Sequence, residues 1–380
     1  MSSLDTQLGA LRGPAPPLPH NARTLAALTA NPSCDRRSVL DAAGIDKDAL
    51  ATHLGLSRPL RKSQLALDYG IAFERQVTDQ AGAALVPLLR QALGLTLPEA
   101  TYKDVNSVGS DNDKSPLRLR HTHTSSLILS TAHRRSKPYT LLDHPVLSLT
   151  VAGRQTYLEP DVIAFHHEGV FHVVEVKSFP VIHGQPDPIK TAAALSQAAA
   201  YVLALRELLT GDGLPADRVS DTVILVNPRN FTRQPIATPY NAAKQIRHLS
   251  RHLGRLERLP ALLDDLPEGT TFDLAPSSDG RATRPPGELV AALATMRPHY
   301  MPRCGHHCEL APHCRTEARN QGRTDFLGPA VRDDLAGIDT IATVLALADG
   351  HISPSHDQKD TVQALRHAQR ICIDLQKGST

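Results

Sequence analysis

The sequence has no strong excess of charge of either sign: 41 Lys and Arg stand against 39 Asp and Glu, a formal net charge of +2. That balance excludes a polycationic, histone-like protein but leaves room for a local basic cleft. No apolar run reaches the roughly 20 residues that span a bilayer, and the N-terminus lacks a basic-then-apolar signal pattern. The expected location is therefore cytoplasmic. No G-x4-G-K-[ST] stretch is present, so no ATP site of that kind is legible, and no internal repeat subdivides the chain. Cysteine is sparse, five in 380 residues. In a reducing compartment so few are not a disulfide framework, and their spacing becomes the question.

What is present is length for one large domain or two medium ones, with a real core. Of the 41 basic residues 31 are Arg, which suits bidentate phosphate contacts better than Lys does. Residues 1–20 are Pro-rich and read as a flexible arm. Helical periodicity begins near Thr24, and Asn31-Pro32-Ser33-Cys34 turns into a second helix, placing Cys34 at a helix N-terminus ahead of Arg36 and Arg37. Residues 61–95 read as one long helical stretch with Leu65, Tyr69, Phe73, Val77 and Ala81 on one face, and Pro87 is expected to kink or break it. Gly70 costs about 1 kcal/mol against Ala in mid-helix, which suggests close approach of another backbone. Glu74 follows one turn later on the same face.

Residues 100–140 are polar around a short apolar run at 127–129, with His121, His123, Arg134 and Arg135 as candidate phosphate contacts. Residues 146–151 read as a strand turning at Ala152-Gly153. Two strand-like runs follow, 158–165 and 170–179, joined by the polar turn His166-His167-Glu168-Gly169. Residues 190–209 carry a strong helical apolar face, and 221–227 read as a buried strand closed by Pro228. Strand, hairpin, helix and strand together predict a mixed sheet with flanking helices. Residues 240–262 are helical and basic, with Lys244, Arg247, Arg251, Arg255 and Arg258 at helical spacing, either a solvated face or a DNA-facing stripe. A Pro-, Gly- and Ser-rich linker follows, then a helix at 288–296. The tail, 325–376, holds two or three helices, and DDLAGIDTIATVLAL within it resembles a backbone-gripping helical hairpin.

The chemistry concentrates in the hairpin. Its first run carries Pro160-Asp161 and its second Glu175-Val176-Lys177. Alternation puts Glu175 and Lys177 on one face of a strand, roughly 6.5–7 Å apart. Phosphodiester hydrolysis needs an activated water, charge neutralisation on the phosphate and help for the leaving oxygen. Mg²⁺ prefers a few carboxylates plus water to a full protein cage. Asp161 and Glu175 are such ligands, the Val176 carbonyl is a third, and Lys177 can orient or deprotonate the water.

This pattern resembles the PD-(D/E)xK nuclease superfamily, specifically its RecB-like branch. The resemblance runs from Gly70 and Glu74 through Asp161, Glu175 and Lys177 to Gln197-Ala198-Ala199-Ala200-Tyr201, which is similar to the RecB-type Gln-x3-Tyr motif. It implies a restriction-endonuclease-like α/β fold, a mixed central sheet flanked by helices. It also implies metal ligation by Asp161 and Glu175, catalysis by Lys177, and positioning roles for Gln197 and Tyr201. Many members carry His at the upstream helix position; Glu74 is the candidate here, as a further metal ligand.

Cys304, Cys308 and Cys314 are spaced C-x3-C-x5-C in a Pro-flanked segment. Four thiolates complete an iron–sulfur site; Cys34 is the natural fourth, leaving Cys372 isolated. A Cys3His zinc site drawing on His306, His307 or His313 is the alternative. One cysteine before the core and three after it resembles the iron–sulfur nucleases, among them the AddB-type nuclease domain and the CRISPR-associated iron–sulfur exonucleases. Their usual spacing is C-x2-C-x5-C, so this chain has one extra residue. The resemblance implies a [4Fe–4S] cluster clasping helical N- and C-terminal extensions together. The expected organisation is an arm (1–20), a helical segment with Cys34 (21–60), a nuclease core (61–262), a linker (263–287), a cysteine segment (288–320) and a C-terminal helical segment (321–380). The implied function is a Mg²⁺- or Mn²⁺-dependent DNA exonuclease on single-stranded or frayed ends, in DNA repair or antiviral defence. Any unwinding would come from a partner such as a helicase. The rival is a non-catalytic DNA-binding or scaffolding subunit.

Overall fold

The structure, a computed structural model, describes residues 3–18, 20–56, 64–94, 101–105, 117–133, 141–151, 154–158, 162–255, 259–306, 308–324 and 327–377. Its helices begin with α1 (Ser3–Arg12), α2 (Ala22–Ala30), α3 (Asp35–Ala43), α4 (Lys47–His53), α5 (Gln64–Gly82), α6 (Leu85–Leu93), α7 (Leu117–Ala132) and α8 (Pro188–Gly211). They continue with α9 (Ala243–Arg255), α10 (Leu259–Asp264), α11 (Pro286–Ala294), α12 (Ala311–Gln321), α13 (Pro329–Asp334), α14 (Ile341–Ala348) and α15 (Lys359–Lys377). The first strands are β1 (Tyr102–Asp104), β2 (Leu141–Asp143), β3 (Leu147–Val151), β4 (Arg154–Leu158) and β5 (Val162–His167). The rest are β6 (Val170–Val176), β7 (Val181–Ile182), β8 (Gln185–Pro186), β9 (Val219–Pro228) and β10 (Pro235–Asn241). The class is mixed α/β. Two units divide the chain, one of Met1–Pro32, Ser38–Ile45 and Leu60–Gly269, the other of Ser33–Arg37, Asp46–Pro59 and Thr270–Thr380.

The first unit is built on a six-stranded sheet in the order β1-β2-β5-β6-β9-β10. β5 and β6 form an antiparallel hairpin; β6 and β9 are parallel, joined by the α8 crossover. β6 and β9 are apolar almost throughout because both faces are covered. Phe171, Val173 and Leu225 pack with Ala198, Tyr201 and Leu205 of α8. Val174, Val176, Ile224 and Val226 pack on the opposite face with Phe73 and Val77 of α5 and Leu85 and Leu89 of α6. Burying each such Val or Leu contributes about 1.5–3 kcal/mol. α8 starts where Asp187 Oδ1 accepts from Ile189 N (2.9 Å) and Lys190 N (3.1 Å), with Pro188 at its first position. By length and composition α8 could cross a membrane, but 56% of its most apolar window is buried inside the protein.

Several sequence expectations change. The 158–165 run is divided: Leu158 ends β4, which pairs with β3 in a separate ribbon, and β5 starts at Val162. The hairpin turn is Glu168-Gly169 alone, both at positive φ (50° and 86°), with His167 opposite Val170. That is the backbone twist a two-residue hairpin loop prefers. The long 61–95 helix breaks at Asp79–Ala81, where the backbone leaves helical geometry, and not at Pro87, which lies in the first turn of α6. The first turn tolerates Pro because its N–H has no helical partner there. Ser3–Arg12 is a helix with Leu8 and Leu11 buried, where a flexible arm is expected. The polar stretch 100–140 contains β1 and α7, whose apolar spacing is too weak to read from sequence.

In the second unit Leu335, Ile338, Leu347 and Val362 form a small core under α14 and α15. The segment between α13 and α14 holds Ala336 and Gly337 at positive φ (49° and 75°). Thr340 caps α14, its Oγ1 accepting from Thr343 N at 3.1 Å.

Candidate functional site: a carboxylate–lysine centre and a cysteine centre

The end of β6 carries an ion pair. Glu175 is 1% exposed, and its carboxylate is ion-paired with Lys177. The contact follows from alternation, which sets both on the face that Phe171 and Val173 share with α8. A buried carboxylate needs a counter-charge, and Lys177 is that charge. Lys177 N donates to Val226 O at 2.9 Å, so the β6–β9 ladder holds the backbone at the site. Asn227 Nδ2 reinforces the same segment by donating to Lys177 O (3.3 Å) and Phe179 O (3.1 Å). The Val176 side chain lies in the core on the other face, which leaves its carbonyl as its candidate ligand atom. Val162 is registered against Glu175; Pro160 and Asp161, which precede it in sequence, lie outside the described residues. Gln197 is half-buried on α8, and Tyr201, one turn on, is buried in the cluster between α8 and the sheet.

Glu74, expected as a further metal ligand, lies beside His144. On α5, its Oε1 lies 3.4 Å from Nε2 of His144, whose Nδ1 lies 2.9 Å from Asp143 Oδ1. His144 sits at φ +51° just beyond β2, and Arg120 Nη2 donates to its carbonyl at 3.4 Å. The Asp143 carboxylate, then that of Glu74, raises the His144 pKa to about 10, which favours the imidazolium between two carboxylates. The Tyr102 hydroxyl donates to Asp143, and burial together with that carboxylate pushes its pKa up. Asp104, Asp143 and His144 bring ligand atoms within 4.8 Å of one another. Asp143, two residues from Leu141, shares the face that packs on α5, whereas Glu175 faces α8. The two acidic groups therefore occupy neighbouring registers on opposite faces of one sheet end. Sequence reading missed Asp143, His144, Tyr102 and Asp104, because three-residue strands carry no readable period. Gly70 likewise has no backbone against it: a Cβ there would lie 3.4 Å from Ser178 Oγ, an ordinary contact.

The basic candidates are spread out. Lys244, Arg247 and Arg251 lie exposed along α9, opposite buried Ile246 and Leu249; the Arg255 side chain and Arg258 lie outside the described residues. His121 rests 5.2 Å from the Tyr157 ring, and burial lowers its pKa. His123 is half-buried on α7, and Arg134 and Arg135 lie outside the described residues.

The second unit gathers the cysteines. None of the five is in a disulfide; Cys34 and Cys314 are buried, Cys304 and Cys308 half-buried, and Cys372 exposed on α15. Cys34 couples electrostatically to Cys304 and Cys314, and Cys314 to Cys308, so the four thiols form one group. Burial pushes Cys308 up to about 12 and Cys314 up to about 11. Arg36 stands against the group: Nη1 donates to Cys314 Sγ (3.2 Å) and Glu317 Oε2 (2.8 Å), and Nη2 to Glu317 Oε1 (3.2 Å) and Met296 O (3.3 Å). Arg37, also buried, lowers the pKa of Cys308 by its charge. Four thiols, two buried and two half-buried, beside two buried guanidiniums are a donor set suited to an anionic cluster. His313 is half-buried; His307 and the His306 side chain lie outside the described residues. No protein-family model matches this chain, and neither the curated proteins nor the solved structures contain a match.

Proposed function

We propose that the first unit is a metal-dependent deoxyribonuclease, acting in the cytoplasm as an exonuclease on single-stranded or frayed DNA, in repair or antiviral defence. The observation that carries this reading is the buried Glu175 carboxylate paired with Lys177 at the end of β6, with Val162 registered against it. In this reading Asp161, Glu175 and the Val176 carbonyl hold Mg²⁺ or Mn²⁺, which supplies Lewis-acid neutralisation of phosphate charge. Lys177 orients the attacking water and stabilises charge building on the phosphate. Gln197 and Tyr201 position the strand from α8. Glu74, held by His144, sets the α5 side of the site together with Asp143. In the second unit, Cys34, Cys304, Cys308 and Cys314 would hold a [4Fe–4S] cluster, a structural clasp that closes a loop over most of the chain. Their spacing and the buried guanidiniums support iron–sulfur over zinc.

The test is digestion of end-labelled single-stranded, duplex and circular DNA with Mg²⁺ or Mn²⁺. Linear single strands should be degraded and circles left intact, and Glu175→Ala or Lys177→Ala should lower the rate about 10²–10⁴-fold. No cutting under either metal, with both variants indistinguishable from wild type, would sink the proposal. For the cluster, a brown protein should lose its visible absorption in Cys308→Ala; a colourless protein with stoichiometric zinc would reject it. A second reading, a non-catalytic DNA-binding subunit, is favoured by one observation: Glu74 is engaged with His144 on the face opposite Glu175. DNA binding without cleavage across several metals would select it.

A further inference from the structure

Beyond Lys177 the chain makes a small hairpin of β7 and β8, turning at His183 and Gly184, both at positive φ (50° and 78°). Because β9 runs parallel to β6, it ends at the same side of the sheet, and its connection to β10 reads Arg229-Asn230-Phe231-Thr232-Arg233-Gln234. The two loops are tied together. Asn230 N donates to Val181 O (2.8 Å), and His183 N donates to Asn230 Oδ1 (3.0 Å). The other flank is tied to α5: the Tyr69 hydroxyl donates to Thr232 O (3.2 Å) and Gln76 Nε2 to Arg233 O (3.1 Å). Within the turn Arg229 N donates to Gln234 O (2.8 Å), and Thr232 Oγ1 to Arg229 O (2.7 Å). The backbone of this tip is thus anchored from two sides and braced within the turn.

Phe231 nevertheless projects from it, 82% exposed. A single exposed apolar side chain is ordinarily unremarkable. Three features set this one apart. Its backbone is pinned, so the ring is not a frayed core residue. Arg229 and Arg233 are exposed on either side of it, with Arg233 itself held 5.5 Å over the Tyr69 ring. The tied hairpin also offers Ile182, 38% exposed, on the edge where β6 delivers Lys177. A rigid aromatic face between two cations matches the chemistry of an unpaired nucleobase with phosphates on both sides.

We infer that Phe231 is a stacking platform for a base of single-stranded DNA, with Arg229 and Arg233 on the flanking phosphates. The statement that this base belongs to the strand being cut rests on the nuclease reading above; the stacking itself does not. A duplex hides its base faces and gains nothing from the ring, so the platform selects unpaired strands.

The experiment is fluorescence anisotropy of the full chain with a labelled oligodeoxythymidine, in EDTA so that no cleavage occurs. Phe231→Ala should weaken binding about 5- to 150-fold, the range for loss of one base–aromatic stack, with the salt dependence unchanged. Phe231→Trp should bind within about 2-fold of wild type, and Arg229→Ala should reduce the slope of log K against log salt by about one contact. Duplex binding should be unaffected by Phe231→Ala. Equal single-strand binding by Phe231→Ala and wild type overturns the inference, as does an equal loss on duplex, or a preference for RNA over DNA. If wild type cuts DNA and Phe231→Ala binds normally, only the stacking inference falls. If binding depends on Phe231 and nothing is cut, only the nuclease reading falls.

Discussion

Removing the Glu317 carboxylate should destabilise the second unit by leaving Arg36 with an uncompensated buried charge. The Arg36 side chain is 2% exposed and that of Glu317 is 22% exposed, with Nη1–Oε2 at 2.8 Å and Nη2–Oε1 at 3.2 Å. Two charge-assisted bonds are lost in Glu317→Ala, each worth about 1.5–3 kcal/mol, in line with about 3–5 kcal/mol for breaking a buried pair from one side. Partial exposure of Glu317 lets water reach the vacated position, so the lower end, about 3 kcal/mol, is expected. Replacing both partners, as in Arg36→Met with Glu317→Ala, removes the stranded charge along with the pair. That double variant should lie within about 1 kcal/mol of wild type, a coupling of about 2–3 kcal/mol in the cycle. The chain has no Trp, so urea unfolding of metal-free protein is best followed by circular dichroism, with amide exchange over α12 reporting the second unit. Glu317→Ala within about 0.5 kcal/mol of wild type, with no coupling to Arg36, would refute the argument.

Two further outcomes are expected. His144 titrates near pH 10 when folded because of Asp143 and Glu74, against about 6.5 unfolded. A raised pKa stabilises fully below about pH 6.5 and the gain is lost as pH climbs towards 10, at up to about 1.4 kcal/mol per unit. Melting temperature measured in EDTA should therefore fall across that window for wild type and stay flatter for His144→Gln; parallel profiles would contradict the ion pair. Gly70→Ala should fold normally and gain up to about 1 kcal/mol in urea unfolding, because the added methyl meets the Ser178 side chain at 3.4 Å (Oγ) and 3.8 Å (Cβ). A marked loss of stability there would refute that ordinary contact.

Local order made part of this protein legible from sequence. The apolar face of α8 and the unbroken Val-Ile-Leu-Val run of β9 are repeated over enough residues to declare themselves. Glu175 and Lys177 were legible for the same reason, since two-residue alternation puts them on one face whatever surrounds them. The Cys34 grouping was legible only as a resemblance. It is the second unit's assembly from chain segments far apart in sequence that couples that thiol to Cys304 and Cys314.

What escaped sequence reading depends on contacts that no local pattern encodes. β1 and β2 are three residues each, so their register beside β5, and with it the meeting of Tyr102, Asp143, His144 and Glu74, arises only when the sheet assembles. The burial of Leu8 and Leu11 follows from docking of α1. The exposure of Phe231 is the converse case, since composition marks a Phe for the core. Hydrogen bonds from α5 and from the β7–β8 hairpin hold its turn so that the ring points to water. Periodicity is a property of one segment, whereas a partner's identity is a property of two, and folding alone brings the second one near.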